Sequence, residues 1–264
     1  MKSIRNIQDK ANTIIQNAWV TLGIPFDLPI INEKEQGIID IESLILSTLL
    51  IMKQGRIVTD LPAWLIRFSS LVNHQKLKTM FKSISPGHRN IIIKNLNHPT
   101  FHGAPESFKK IFNLKEQLPD SLLSAIDLRL QKLNTIENVA RLSIMIRNRL
   151  LYGTGFRADL VTITHIKGLG MKGSQLAKLL CANDSTISRV LNDLKACQFL
   201  DHDNERIGLI DIYPGMFMST QSVWNLSEMI DAFKFSFKEL KKSVFENLNF
   251  KHDGFGRKIF TEIT

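Results

Sequence analysis

Ser174-Gln175-Leu176-Ala177-Lys178-Leu179-Leu180-Cys181-Ala182-Asn183-Asp184-Ser185-Thr186-Ile187-Ser188-Arg189-Val190-Leu191 decides how the rest of this chain is read. Leu176, Ala177 and Leu180 recur at helical spacing, so Ser174–Leu180 forms a short helix with one apolar face. Cys181-Ala182-Asn183 leaves room only for a tight connection, and Asn183 is a natural N-cap for the next helix. That second helix, Asp184–Cys197, turns Ile187, Val190, Leu191 and Leu194 inward. Its other face carries Ser185, Thr186, Ser188, Arg189, Asn192 and Lys195.

The flanks extend the pattern on both sides. A helix precedes it over Ala158–Ile166, with Leu160, Ile163 and Ile166 apolar, and Gly168-Leu169-Gly170 turns the chain. After it, Phe199-Leu200 begins a strand and His202-Asp203-Asn204 turns. The run Arg206–Ile212 returns as a second strand. Three helices and a hairpin over residues 156–213 make a winged helix-turn-helix arrangement.

The segment from Ser174 to Leu191 resembles the helix-turn-helix of bacterial winged-helix transcription regulators. Ala177 matches that family's close helix contact, Ile187 and Val190 its apolar pair, and Ser185 to Leu191 the start of its recognition helix. Cys181 stands where the family commonly has Gly. The resemblance implies a double-stranded DNA partner, with Ser185, Thr186, Ser188 and Arg189 facing bases. Short hydroxyl side chains approach base edges without filling the groove, and Arg bonds guanine bidentately. Asn192, Lys195, Lys172, Gln175 and Arg206 are expected nearer the sugar–phosphate backbone.

Outside this module the chain is helical with no internal repeat. Residues 1–150 are expected to form an N-terminal helical domain of unassigned role, divided from the module at Gly153-Thr154-Gly155. Its helix from Ile39 to Lys53 is interrupted by Asp40 and Glu42. Thr59 or Asp60 caps a helix with Pro62 in its first turn, and Trp64, Leu65, Phe68 and Leu71 form a core face. Pro86-Gly87 and His98-Pro99 read as turns. Asn134 with Glu137 caps a helix whose stripe is Ile136, Val139, Leu142, Ile146 and Leu150. Residues 219–249 read as a long amphipathic helix. Its apolar stripe, including Phe233 and Phe237, suits packing on the N-terminal helices or a homodimer interface.

Charge narrows the function classes. The 264 residues hold 34 Lys+Arg against 25 Asp+Glu, a formal +9. Residues 61–150 alone carry +9, whereas 157–213 are neutral. A basic surface of Lys76, Lys78, Lys82, Arg141, Arg147 and Arg149 is therefore expected to supply attraction to a polyanion. The rival reading is an interaction protein in a plasmid, phage-defence or toxin-neutralising assembly, with the neutral module meeting protein. No phosphate-cradling glycine loop and no Gly-x-Ser-x-Gly elbow occurs, so an enzyme is not expected. His98 and His102 are separated by Pro99, and Cys181 and Cys197 lack a second pair, so no metal or other cofactor is expected. Two cysteines are too few for a disulfide framework. No apolar run spans a bilayer, and the mixed polar start is unlike a secretory leader, so a cytoplasmic protein without membrane contact is expected.

Overall fold

A computed structural model describes residues 2–26, 39–51, 56–164 and 172–197. The N-terminal body contains α1 (Lys2–Thr21), α2 (Ile41–Ile51), α3 (Ile57–Phe68), α4 (His74–Ser83) and α5 (Pro86–Leu96). It continues with α6 (Glu106–Phe112), α7 (Asp120–Lys132), α8 (Ile136–Leu142) and α9 (Ile144–Tyr152). The module of interest is α10 (Phe156–Thr164), α11 (Gly173–Leu179) and α12 (Asp184–Ala196).

Two tryptophans anchor the body, and each has a partner for its indole N–H. Trp19 on α1 donates to Thr48 Oγ1 at 2.8 Å, and Trp64 on α3 donates to the Leu22 carbonyl at 2.7 Å. Their rings meet edge to face, centroids 5.2 Å apart, so large apolar area is buried without orphaning a donor. Around them α3 packs on α7, α2 on α5 and α4, and α4 on α6. One apolar core runs from Ile15 to Ile146, and a second joins Leu160, Val161 and Ile163 to Leu176, Ile187, Val190 and Leu194.

Several boundaries differ from those expected. α3 starts at Ile57, so Pro62 lies inside it; its first turn is held by Thr59 Oγ1 on the Arg56 carbonyl and by an Arg56–Asp60 ion pair of 3.0 Å. Pro86-Gly87 opens α5 instead of turning the chain, with Ser85 as N-cap and Pro86 at a position whose missing N–H costs nothing. Thr135, not Asn134, caps α8. The single helix expected through Leu150 breaks at Ser143, which adopts extended backbone. Its N–H closes α8 on Val139 O, and its hydroxyl accepts the Ile146 N–H of α9. That break changes the helical phase, and Leu150 emerges 51% exposed.

The expected fold class needs correction as well. No strand occurs among the described residues, so the architecture is all-helical there and includes no β-hairpin wing. Among the described residues the module's apolar core is built from helices alone. Residues 199–213, including Arg206, lie outside the described residues, as do 219–249 and the homodimer interface expected there. Among the described residues no helix is long and apolar enough to cross a membrane.

Candidate nucleic-acid interface

The joint between α11 and α12 is a Schellman turn. Cys181 N–H donates to Lys178 O at 3.1 Å and Ala182 N–H to Ala177 O at 2.9 Å, which satisfies two carbonyls left open at the end of α11. This pairing needs a left-handed residue between them, and Cys181 supplies it with φ +52°. Gly would adopt that conformation without strain. Burial pushes the Cys181 thiol pKa up, and the nearby Asp40 carboxylate adds to it. Asn183 occupies the N-cap position of α12 with its backbone only; its side chain makes no capping bond. We expect Cys181→Val to destabilise the protein by about 1–2 kcal/mol, because a β-branched residue resists positive φ. Cys181→Gly should stay within about 1 kcal/mol of the parent, as relief of backbone strain offsets the reduced packing. Thermal melts of the two variants check this.

α12 is set as its periodicity predicts. Ile187, Val190, Leu191 and Leu194 are buried, whereas Ser185, Ser188, Arg189 and Asn192 are exposed; Thr186 and Lys195 are half-buried. α11 carries exposed Lys172 and Gln175, but the Gln175 carboxamide oxygen accepts the Lys172 N–H at 2.9 Å and so belongs partly to the helix start. Arg157 of α10 pairs with Asp193 of α12 at 2.7 Å. Beyond that pair, the solvent-facing charges of these helices are Lys172, Lys178, Arg189 and Lys195 against Asp184. The described face of the module is thus positive, although residues 157–213 sum to zero.

The basic surface expected on the body is only partly there. Lys78, Lys82 and Arg141 are exposed, and Arg147 is half-buried with its guanidinium on the Ala140 and Arg141 carbonyls. Lys76 and Arg149 are a correction. Both are buried and contribute nothing to the surface. Arg149 Nη1 and Nη2 grip Glu42 of α2 at 2.8 Å each, Nε donates to Asp159 of α10 at 2.9 Å, and Nη1 also reaches the Leu71 carbonyl at 2.6 Å. Lys76 Nζ lies 3.0 Å from Asp40, 3.2 Å from Asp159 and 3.6 Å from Glu42. A buried cation without carboxylates would lose its hydration uncompensated, so these two side chains turn inward where three acids wait.

The cluster shifts its members in opposite directions. Burial pushes Asp40 up, but Lys76 and Arg149 together outweigh it and hold the carboxyl below the ordinary range. Burial pushes Glu42 up against the pull of the Arg149 guanidinium, and the upward direction prevails. Sequence reading missed this cluster. The available signal was a pair of acids, Asp40 and Glu42, inside an otherwise apolar stretch.

Two other features lack the groups that chemistry needs. His74 shares a 2.9 Å hydrogen bond with Ser107, and burial lowers the imidazole pKa, but among the described residues no carboxylate orients it. An open groove of about 400 Å³ is lined by Phe68, Leu71, Ile136 and Leu150 with Arg67 and Glu137, and the Arg67 guanidinium is engaged on the Leu133 carbonyl. No protein-family model, curated protein or solved structure matches the chain.

Proposed function

We propose that the chain is a double-stranded DNA-binding protein that regulates transcription, with α12 entering the major groove. The observation that carries this reading is the geometry of α11 and α12. A Schellman turn joins two short helices, and the second buries an apolar stripe while presenting Ser185, Ser188, Arg189 and Asn192 outward. Small hydroxyls and one Arg near the start of an exposed helix are the groups that read base edges. Phosphate attraction would come from Lys172 and Lys195 on the module and from Lys78 and Lys82 on α4.

Selection from a random duplex library supplies the cognate site for the test. Arg189→Ala should weaken that site by about 1–3 kcal/mol and leave random DNA nearly unchanged, because an Arg–guanine pair carries discrimination. Lys78→Glu with Lys82→Glu should lower cognate and random affinity together. It should also flatten the plot of log affinity against log salt by roughly 0.9 for each phosphate that is no longer neutralised. Equal weakening on both DNAs from Arg189→Ala removes the base-reading role. A library that yields no enriched site, with no binding at low salt, overturns the reading and favours a protein partner for α12.

A further inference from the structure

The module is joined to the body by very little chain. Between α9 and α10 stand only Gly153-Thr154-Gly155, and a Cβ added at either glycine would meet nothing within 4 Å. The apolar cores on the two sides are separate clusters. Such a connection leaves the helix-turn-helix free to swing unless something directional holds it, since apolar contact alone fixes orientation weakly. α10 packs along α9 and Tyr152 of α9 borders the module's apolar cluster, while the directional contacts across the seam are polar. Arg149 bridges Glu42 of α2 and Asp159 of α10, and Lys76 of α4 closes the ring through Asp40 and Asp159. Thr154 Oγ1 donates to the Ser70 carbonyl, and Asn148 Nδ2 donates to Thr162 Oγ1 at 2.9 Å.

We propose that this five-membered ion cluster is a positioning device: Arg149 and Asp159 hold the helix-turn-helix in one orientation on the N-terminal helices, so the whole body presents α12. Ion pairs buried in this way are poor sources of net stability, but the fork geometry of Arg admits one arrangement of its two carboxylates. The turn between α11 and α12 lies beside the same cluster, close enough for Asp40 and Lys76 to act on Cys181. The consequence for DNA rests on the function proposed above. The fixed orientation does not.

The test reads orientation directly. Spin labels go on native Cys197 and on Lys94→Cys of α5, both exposed, with Cys181→Gly removing the other thiol. The parent should give one narrow distance distribution. Asp159→Asn, which keeps size but deletes a charge, should at least double its width. Asn148→Ala, which deletes a neutral hydrogen bond across the same seam, should leave it narrow. An Asp159→Asn distribution as narrow as the parent, or an equal broadening in Asn148→Ala, overturns the proposal. Should Asp159→Asn fail to fold, hydrogen exchange on the unsubstituted protein decides. Amides of α10 protected as strongly as those of α9 support one held unit, and a tenfold faster common opening of α10, α11 and α12 overturns it. On the selected DNA site, the broadened variant should bind at least tenfold more weakly, and unchanged affinity overturns the link to binding. A parent that binds no duplex defeats the DNA reading alone, and the label distances still decide the orientation.

Discussion

Arg149→Met should lower stability by about 3–5 kcal/mol, because it strands Glu42 and Asp159 as buried carboxylates without their strongest partner. Against a typical domain stability of roughly 5–15 kcal/mol, that loss is about a fifth or more of the total, and for a chain this long it lowers the melting temperature by about 6–20 °C. The cost should depend on pH with a definite sign. Burial already pushes Glu42 up. Without the guanidinium its folded value climbs further above the unfolded one. A raised carboxyl contributes stability that is fully present at low pH and is lost as pH rises through the folded value. The gap between variant and parent should therefore narrow from pH 8 to pH 5. Asp40 acts the other way in the parent: its lowered value contributes stability above about pH 4 that is lost on further acidification. Thermal melts from pH 8 down to about pH 3 check both slopes, and a gap between variant and parent that does not change from pH 8 to pH 5 would show that the carboxylates do not carry the cost.

Gly23→Ala should cost about 2–5 kcal/mol from two causes that add. Gly23 holds φ +94°, where an L side chain is strained by about 1–2 kcal/mol. A Cβ there would also stand 2.7 Å from Val139 Cγ2 and 3.2 Å from Asn134 Cβ, so α8 would have to move, which typically costs about 1–3 kcal/mol more. Gly87→Ala is the matched control. It lies within α5 with nothing near its Cβ position, and Ala there should stabilise the protein by about 0.5–1 kcal/mol. Urea melts on the pair measure the difference. A Gly23→Ala protein as stable as the parent would contradict both the backbone strain and the clash with Val139.

Gly23 also shows how far sequence reading reaches. That it stops a helix is legible from Gly23 and Pro25 alone, but its contact is 116 residues away in sequence, and no local pattern names Val139. Ser85-Pro86-Gly87 shows the reverse failure. The three residues carry both a turn signal and a helix-start signal, and the buried Ile92 and Leu96 farther along decide for the helix. Ser143 is similar. The apolar stripe runs through it without interruption, yet burying Ile146 and Met145 on the body requires a change of helical phase that only packing imposes.

Local spacing along the chain was enough to specify the tri-helical module, because α10, α11 and α12 bury faces written at helical intervals and their joint needs only a few adjacent residues. The same spacing specified which side of α12 meets water. The roles of the charges were settled by tertiary packing instead. A lysine counted from sequence is a positive charge at the surface by default, and Lys78 and Lys82 follow that default. Lys76 and Arg149 do not, because Asp40, Glu42 and Asp159 arrive beside them from distant parts of the chain. Desolvation penalises a buried charge until an opposite charge is brought within about 3–4 Å, and that proximity is a property of the folded chain that no spacing along it records.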